Sequence, residues 1–187
     1  MKVVTPTDEK EFSYLNKFTV FLAGGISNCV DWQNDVIMEL KKVSNEDTED
    51  LVIFNPRREY DLWYDWKDPV NIRKQIEWEF IHLEAMDAFS MFFCDGDSVQ
   101  PICLYELGRY VSEIMNSSFP FIRDGEIIIS CMKGYKRLND VLIQTDLATS
   151  GLVEVKVYED YYDAIKDHAK RILESYNKNF IKGEMHD

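Results

Sequence analysis

Runs of β-forming residues alternate with stretches of helical periodicity along this chain, and that alternation constrains the fold more than any other feature. The strand-like runs are 18–23 (FTVFLA), 51–54 (LVIF), 88–94 (AFSMFFC), 126–132 (EIIISCM) and 153–158 (VEVKVY). Between them, apolar residues recur at helical spacing. Val36, Ile37 and Leu40 mark a helix over 32–43, opened by Asp31 as a cap. Ile72, Ile76, Phe80 and Leu83 mark one over 70–86, with Pro69 suited to its first turn. Leu107, Tyr110 and Val111 follow Glu106 on a third, 136–148 reads as a fourth, and Ile165, Ala169 and Ile172 mark a fifth over 161–176. Strands alternating with helices predict a parallel sheet covered on both faces. The expected fold is therefore α/β, a flavodoxin-like doubly wound five-stranded parallel sheet with helices on both faces. Residues 1–17 are mostly polar and read as an N-terminal extension, and 18–187 as a single domain without repeats or linkers.

At 187 residues the chain is long enough to bury a real core, and 45% hydrophobic residues argue for a folded rather than disordered protein. The formal net charge of -13 repels polyphosphate, so no nucleic-acid polymer is expected as a partner. A small nucleoside or nucleotide in a local pocket stays compatible with it. The acidic run 44–50 (SNEDTED) reads as solvated surface. Cys29, Cys94, Cys103 and Cys131 form no CxxC pair and read as free thiols of a reducing compartment. His82, His168 and His186 are scattered, and no His/Cys cluster has zinc spacing, so no metal is expected. No signal peptide and no apolar run of about 20 residues occur, which predicts a soluble, cytoplasmic protein that does not enter a membrane.

In a sheet of this type ligands bind outside the carboxyl ends of the strands. Four loops fall there: Gly24-Gly25-Ile26-Ser27-Asn28, Asn55-Pro56-Arg57-Arg58, the segment 95–101 leading to Glu106, and Lys133-Gly134-Tyr135-Lys136-Arg137. Gly24-Gly25 lacks GxGxxG spacing and the chain lacks GxxxxGK[ST], which excludes a Rossmann cofactor and a Walker-type nucleotide site. A glycine pair still allows close backbone approach to a ligand, or simply makes a turn. Glu106 stands near the start of a helix after a buried strand. It can serve as nucleophile or general base there, or merely favour the helix N-terminus electrostatically. Arg57 and Arg58 can hold a phosphate or sugar hydroxyls, or form surface ion pairs. Gln75, Trp78 and Glu79 share a helical surface at i, i+3 and i+4, where a Gln can read a base edge or simply face solvent. Asp87 precedes the third strand and, taken alone, passes as a turn residue.

Taken in order, these pieces resemble a known family. A strand ending in Ala23-Gly24-Gly25, then Phe54-Asn55-Pro56-Arg57-Arg58, then Gln75 with Trp78-Glu79, then Asp87, a strand and Tyr105-Glu106-Leu107-Gly108 look like the nucleoside 2-deoxyribosyltransferase-like group. Its relatives include deoxynucleoside-5'-monophosphate N-glycosidases. The resemblance covers roughly 18–150. It implies a flavodoxin-like enzyme that cleaves the N-glycosidic bond of a nucleoside or nucleotide, without a cofactor, as a homodimer or larger homo-oligomer. The family's nucleophilic glutamate maps onto Glu106, and an aspartate serving the leaving base onto Asp87. The sugar pocket maps onto Gly24, Gly25 and Ile26, and further substrate-binding positions onto Asn55, Arg57, Gln75 and Trp78. The chain departs from the pattern at 98–105 (SVQPICLY), where relatives carry glycine.

Cleaving a C–N glycosidic bond builds oxocarbenium character that a carboxylate can stabilise or trap, while the departing base needs a proton. On this reading Glu106 forms a covalent glycosyl-enzyme and Asp87 protonates or anchors the base. A second base or water then completes the reaction. Trp32, Trp63 and Trp78 offer faces for stacking on the base, although packing accounts for each more simply. The aromatic loop with Tyr60, Trp63, Tyr64 and Trp66 reads as a lid or a subunit contact. The competing class is a non-catalytic nucleotide-binding module on the same fold. A flavin protein is disfavoured, because no Ser/Thr-rich phosphate cradle follows the first strand.

Overall fold

The structure, a computed structural model, describes residues 1–8, 14–43, 48–58, 68–116 and 126–181. The elements in chain order are β1 (Lys2–Val4), β2 (Phe18–Gly24), α1 (Trp32–Val43), β3 (Leu51–Phe54), α2 (Pro69–Glu84), β4 (Ala88–Phe93), α3 (Pro101–Asn116), β5 (Glu126–Met132), α4 (Leu138–Thr149), β6 (Val155–Tyr158) and α5 (Tyr161–Tyr176). The strands form one sheet in the order β1-β3-β2-β4-β5-β6, and every pairing is parallel. This is the flavodoxin-like α/β fold that the alternation predicts.

Strand periodicity divides the core. Phe18, Val20 and Leu22 of β2 face α1 and α5, where Trp32, Val36, Leu40, Ile165, Ala169 and Ile172 complete one apolar layer. Phe21 and Ala23 face the other way, toward Leu83 of α2, Leu107, Tyr110 and Val111 of α3, and Val141 of α4. Both faces are thus dry, which is why β2, β3 and β4 read as unbroken apolar runs. Each fully buried side chain of this type contributes about 1.5–3 kcal/mol. Buried polar groups in the layers are paired: His168 lies 2.7 Å from both Ser90 Oγ and Ser130 Oγ, tying α5 to β4 and β5.

Local chemistry sets the helix ends. Asp68 caps α2 by accepting from Val70 N–H at 2.9 Å, with Pro69 in the first turn. Asp160 caps α5 through Asp163 N–H at 2.9 Å, and Asp31 Oδ1 accepts from Asn34 N–H at 3.3 Å in front of α1.

Two differences from the sequence reading stand out. The sheet has six strands rather than five, because Lys2–Val4, within the segment read as an extension, pairs with Val52–Phe54 at the sheet edge. Three residues are too few to show a period of two. Helix α3 begins at Pro101, so Glu106 occupies its second turn rather than its start. The expected aromatic loop, with Tyr60, Trp63, Tyr64 and Trp66, and His186 lie outside the described residues.

Candidate active site

The sheet order reverses between β2 and β4: the chain builds β3 and β1 on one side of β2, then crosses to place β4 on the other. The carboxyl ends of neighbouring strands diverge at such a point and leave a crevice. A cavity of about 370 Å³ lies there. Its walls are the Gly24–Ser27 turn after β2, the Ser98–Cys103 segment opening α3, and one face of α2 with Gln75 and Glu79. Glu106 projects into it from α3.

The glycine turn is held from behind. Gly24 has φ +151°, and a β-carbon there would fall 2.4 Å from Phe92 O and 2.6 Å from Trp32 Cζ2. Only glycine fits that approach. Trp32 stacks on Phe92 with ring centres 5.1 Å apart and donates its Nε1–H to Gly25 O at 3.1 Å. The indole is buried core, and its role is to fix the turn. The opposite wall is braced as well. Tyr135 Oη donates to Val99 O at 2.8 Å, Lys136 pairs with Asp97 at 2.9 Å, and Gln100 Nε2 donates to Cys94 O at 3.0 Å. The 133–137 loop therefore buttresses the site without lining the cavity.

On α2 a side-chain relay ends at the cavity. Arg58 donates to Gln75 Oε1, and Gln75 Nε2 donates to Pro56 O at 3.0 Å and to Glu79 Oε1 at 2.6 Å. Glu79 and Glu106 share the cavity and interact electrostatically. Burial, then the charge of Glu79, push the Glu106 carboxyl up to about 8. Burial also raises Glu79, opposed by the Gln75 hydrogen bond and the Arg58 charge. Two carboxyls of this kind hold one proton between them near neutrality. Among the described residues, no group of three His, Cys, Asp or Glu side chains is placed to hold a metal ion.

The structure brings together Gly24, Gly25, Ile26, Gln75 and Glu106 of the residues singled out in the sequence. Others lie apart. Asp87 sits at the amino ends of β2 and β4, where Thr19 N–H donates to its Oδ2 at 2.8 Å and its own N–H reaches Thr19 Oγ1 at 2.9 Å. Thr19 and Gly24 are five residues apart on β2, which at ~3.3 Å per residue puts Asp87 about 16 Å from the cavity. The carboxyl that shares the cavity with Glu106 is Glu79, and Asp87 instead staples two strands. Asn55 is buried and accepts Arg57 N–H at 3.0 Å. Arg57 points away from the cavity, donating to Val30 O at 2.9 Å and Gln33 Oε1 at 3.1 Å and pairing with Asp31 at 2.9 Å. It clamps the glycine turn's far end. Trp78 stacks on His82 at 4.0 Å and packs against Phe21. Glu79 was visible in sequence as the i+4 neighbour of Gln75, but nothing there says that α2 turns this face toward α3.

A family model described as nucleoside 2-deoxyribosyltransferase like matches residues 17–117. The match spans more than half of the chain and takes in every residue that lines the cavity, and the chain belongs to this family. The family is a nucleoside deoxyribosyltransferase-like group of enzymes. A comparison with curated proteins finds no match.

Proposed function

We propose that this protein cleaves the N-glycosidic bond of a nucleoside or nucleotide bound in the cavity between the glycine turn, α2 and α3. The observation that carries the reading is the Glu79–Glu106 pair, two electrostatically coupled carboxyls in one cavity at the switch point of the sheet. Glycoside cleavage with retention needs one carboxylate to attack the sugar carbon and one acid to protonate the leaving group. A pair holding a single proton supplies both. In the productive form Glu106 is ionised and Glu79 protonated. Positive charge developing on the sugar favours ionised Glu106, so the reacting substrate itself draws the pair into that form. Glu106 bonds to the anomeric carbon as the base leaves with the proton of Glu79. Glu79, now ionised and positioned by Gln75, deprotonates the incoming acceptor. The acceptor is another base in a transferase and water in a hydrolase.

The main-chain turn at Gly24–Ile26 forms the wall beside the sugar in this reading, with no side chain at the two glycines to obstruct it. The test is a chromatographic assay of the purified protein against a panel of nucleosides and 5'-monophosphates, with and without a free acceptor base. Base release without acceptor assigns a hydrolase, and exchange only with acceptor assigns a transferase. A thermal shift with one panel member and no turnover would replace this reading with the non-catalytic binding module.

A further inference from the structure

Behind the glycine turn lie two thiols that the mechanism does not use. Cys29 belongs to the loop between β2 and α1 and is partly exposed, while Cys94 directly follows β4 and is buried. Cys94 belongs to the apolar layer against which Cys29 packs, and the two sulfurs are hydrogen-bond partners. The position of Cys29 is over-determined. Its Sγ rests on the turn so closely that a β-carbon at Gly25 would sit 2.3 Å from it. Its N–H donates to Ile26 O at 3.4 Å, and Arg57 holds the same loop at Ile26 O (3.5 Å) and Val30 O (2.9 Å). A paired, partly exposed thiol near a guanidinium is the setting in which cysteine reacts.

We propose that Cys29 and Cys94 are a peroxide-reactive pair, with Cys29 the attacking thiol and Cys94 the resolving one, joined by oxidation into a disulfide at the back of the cavity wall. The electrostatics agree: the hydrogen bond from Cys94 and the charge of Arg57 hold the Cys29 thiol below the ordinary range, and the same hydrogen bond and burial raise Cys94. The Cys29 thiolate attacks one oxygen of a hydroperoxide. The S–O bond forms, the O–O bond breaks, and the other oxygen leaves as alcohol or water after taking a proton. Cys94 then attacks the sulfenic sulfur, losing its own proton. The S–S bond forms and the hydroxyl departs as water. Two thiols are oxidised by two electrons and one peroxide is reduced.

The test needs no substrate and so stands apart from the proposed reaction. The full chain is treated with hydrogen peroxide, its remaining thiols are alkylated, and the digest is mapped by mass spectrometry. The expected result is one intramolecular cross-link between the peptides holding Cys29 and Cys94, lighter by two hydrogens than the reduced pair and reversed by dithiothreitol. In Cys94→Ser, dimedone should label Cys29, and in Cys29→Ser, Cys94 should stay free. A Cys29 that remains fully alkylatable after peroxide, or that bridges Cys103 or a second chain instead, would overturn the pairing. The wild-type map decides the matter if either variant fails to fold.

Discussion

Replacing Glu106 by Gln should make the fold less sensitive to alkaline pH. Burial and the neighbouring Glu79 raise the Glu106 carboxyl from 4.5 to about 8. Below 4.5 both folded and unfolded chains hold this proton, and the group contributes nothing. Between 4.5 and about 8 the unfolded chain releases the proton while the folded chain keeps it, so stability falls as pH rises. Above about 8 the full penalty is present. A rise of 3.5 units, from 4.5 to 8, at about 1.36 kcal/mol per unit gives a ceiling of roughly 5 kcal/mol. Glu106 is only partly buried and solvent reaches it through the cavity mouth, so a penalty of about 2 kcal/mol is the working figure. Chemical denaturation of wild type and Glu106→Gln at acid, neutral and alkaline pH reads it directly. Wild type should lose about 2 kcal/mol more than the variant between the acid and alkaline ends. Parallel stability curves would refute the reasoning, because they would mean that Glu106 ionises in the folded protein as freely as in the unfolded chain.

Glu79→Gln removes the proton carrier, so base release should drop by about 10²- to 10⁴-fold, and the alkaline fall in rate near pH 8 should vanish with it. A pH–rate profile checks both effects. Asp87→Asn should cost about 1–3 kcal/mol in chemical denaturation through its strand-stapling hydrogen bonds. It should leave turnover unchanged, whereas a loss of turnover would restore Asp87 to the chemistry. Gly24→Ala drives a methyl into Phe92 O and Trp32, and denaturation should show a loss of about 2–4 kcal/mol.

How much of this was legible in the sequence differs from element to element. The central strands were plain because burial on both faces leaves β2, β3 and β4 with little polar interruption. The edge strand Lys2–Val4 was hidden because its three residues show no period, and its place depends on pairing with a distant strand. At the site, Gly24, Gly25 and Glu106 followed from the rule that ligands gather at carboxyl strand ends. The same rule argues against Asp87, which stands before its strand rather than after it. Arg57 and Trp78 were ambiguous for a different reason. A guanidinium and an indole have many partners available, and only the fold shows that carbonyls of the 26–30 loop and the His82 ring take them. Glu79 needed the packing of α2 beside α3, which no local pattern encodes.

The central claim is that Glu106 becomes bonded to the sugar. Mixing the protein with a substrate from the panel, quenching in acid within the first turnover and mapping the peptides by mass spectrometry tests it most directly. The account predicts a sugar-mass adduct on the peptide carrying Glu106, absent in Glu106→Ala, whose base release also falls by orders of magnitude. An adduct on Glu79 instead, or base release by Glu106→Ala at the wild-type rate, would contradict it.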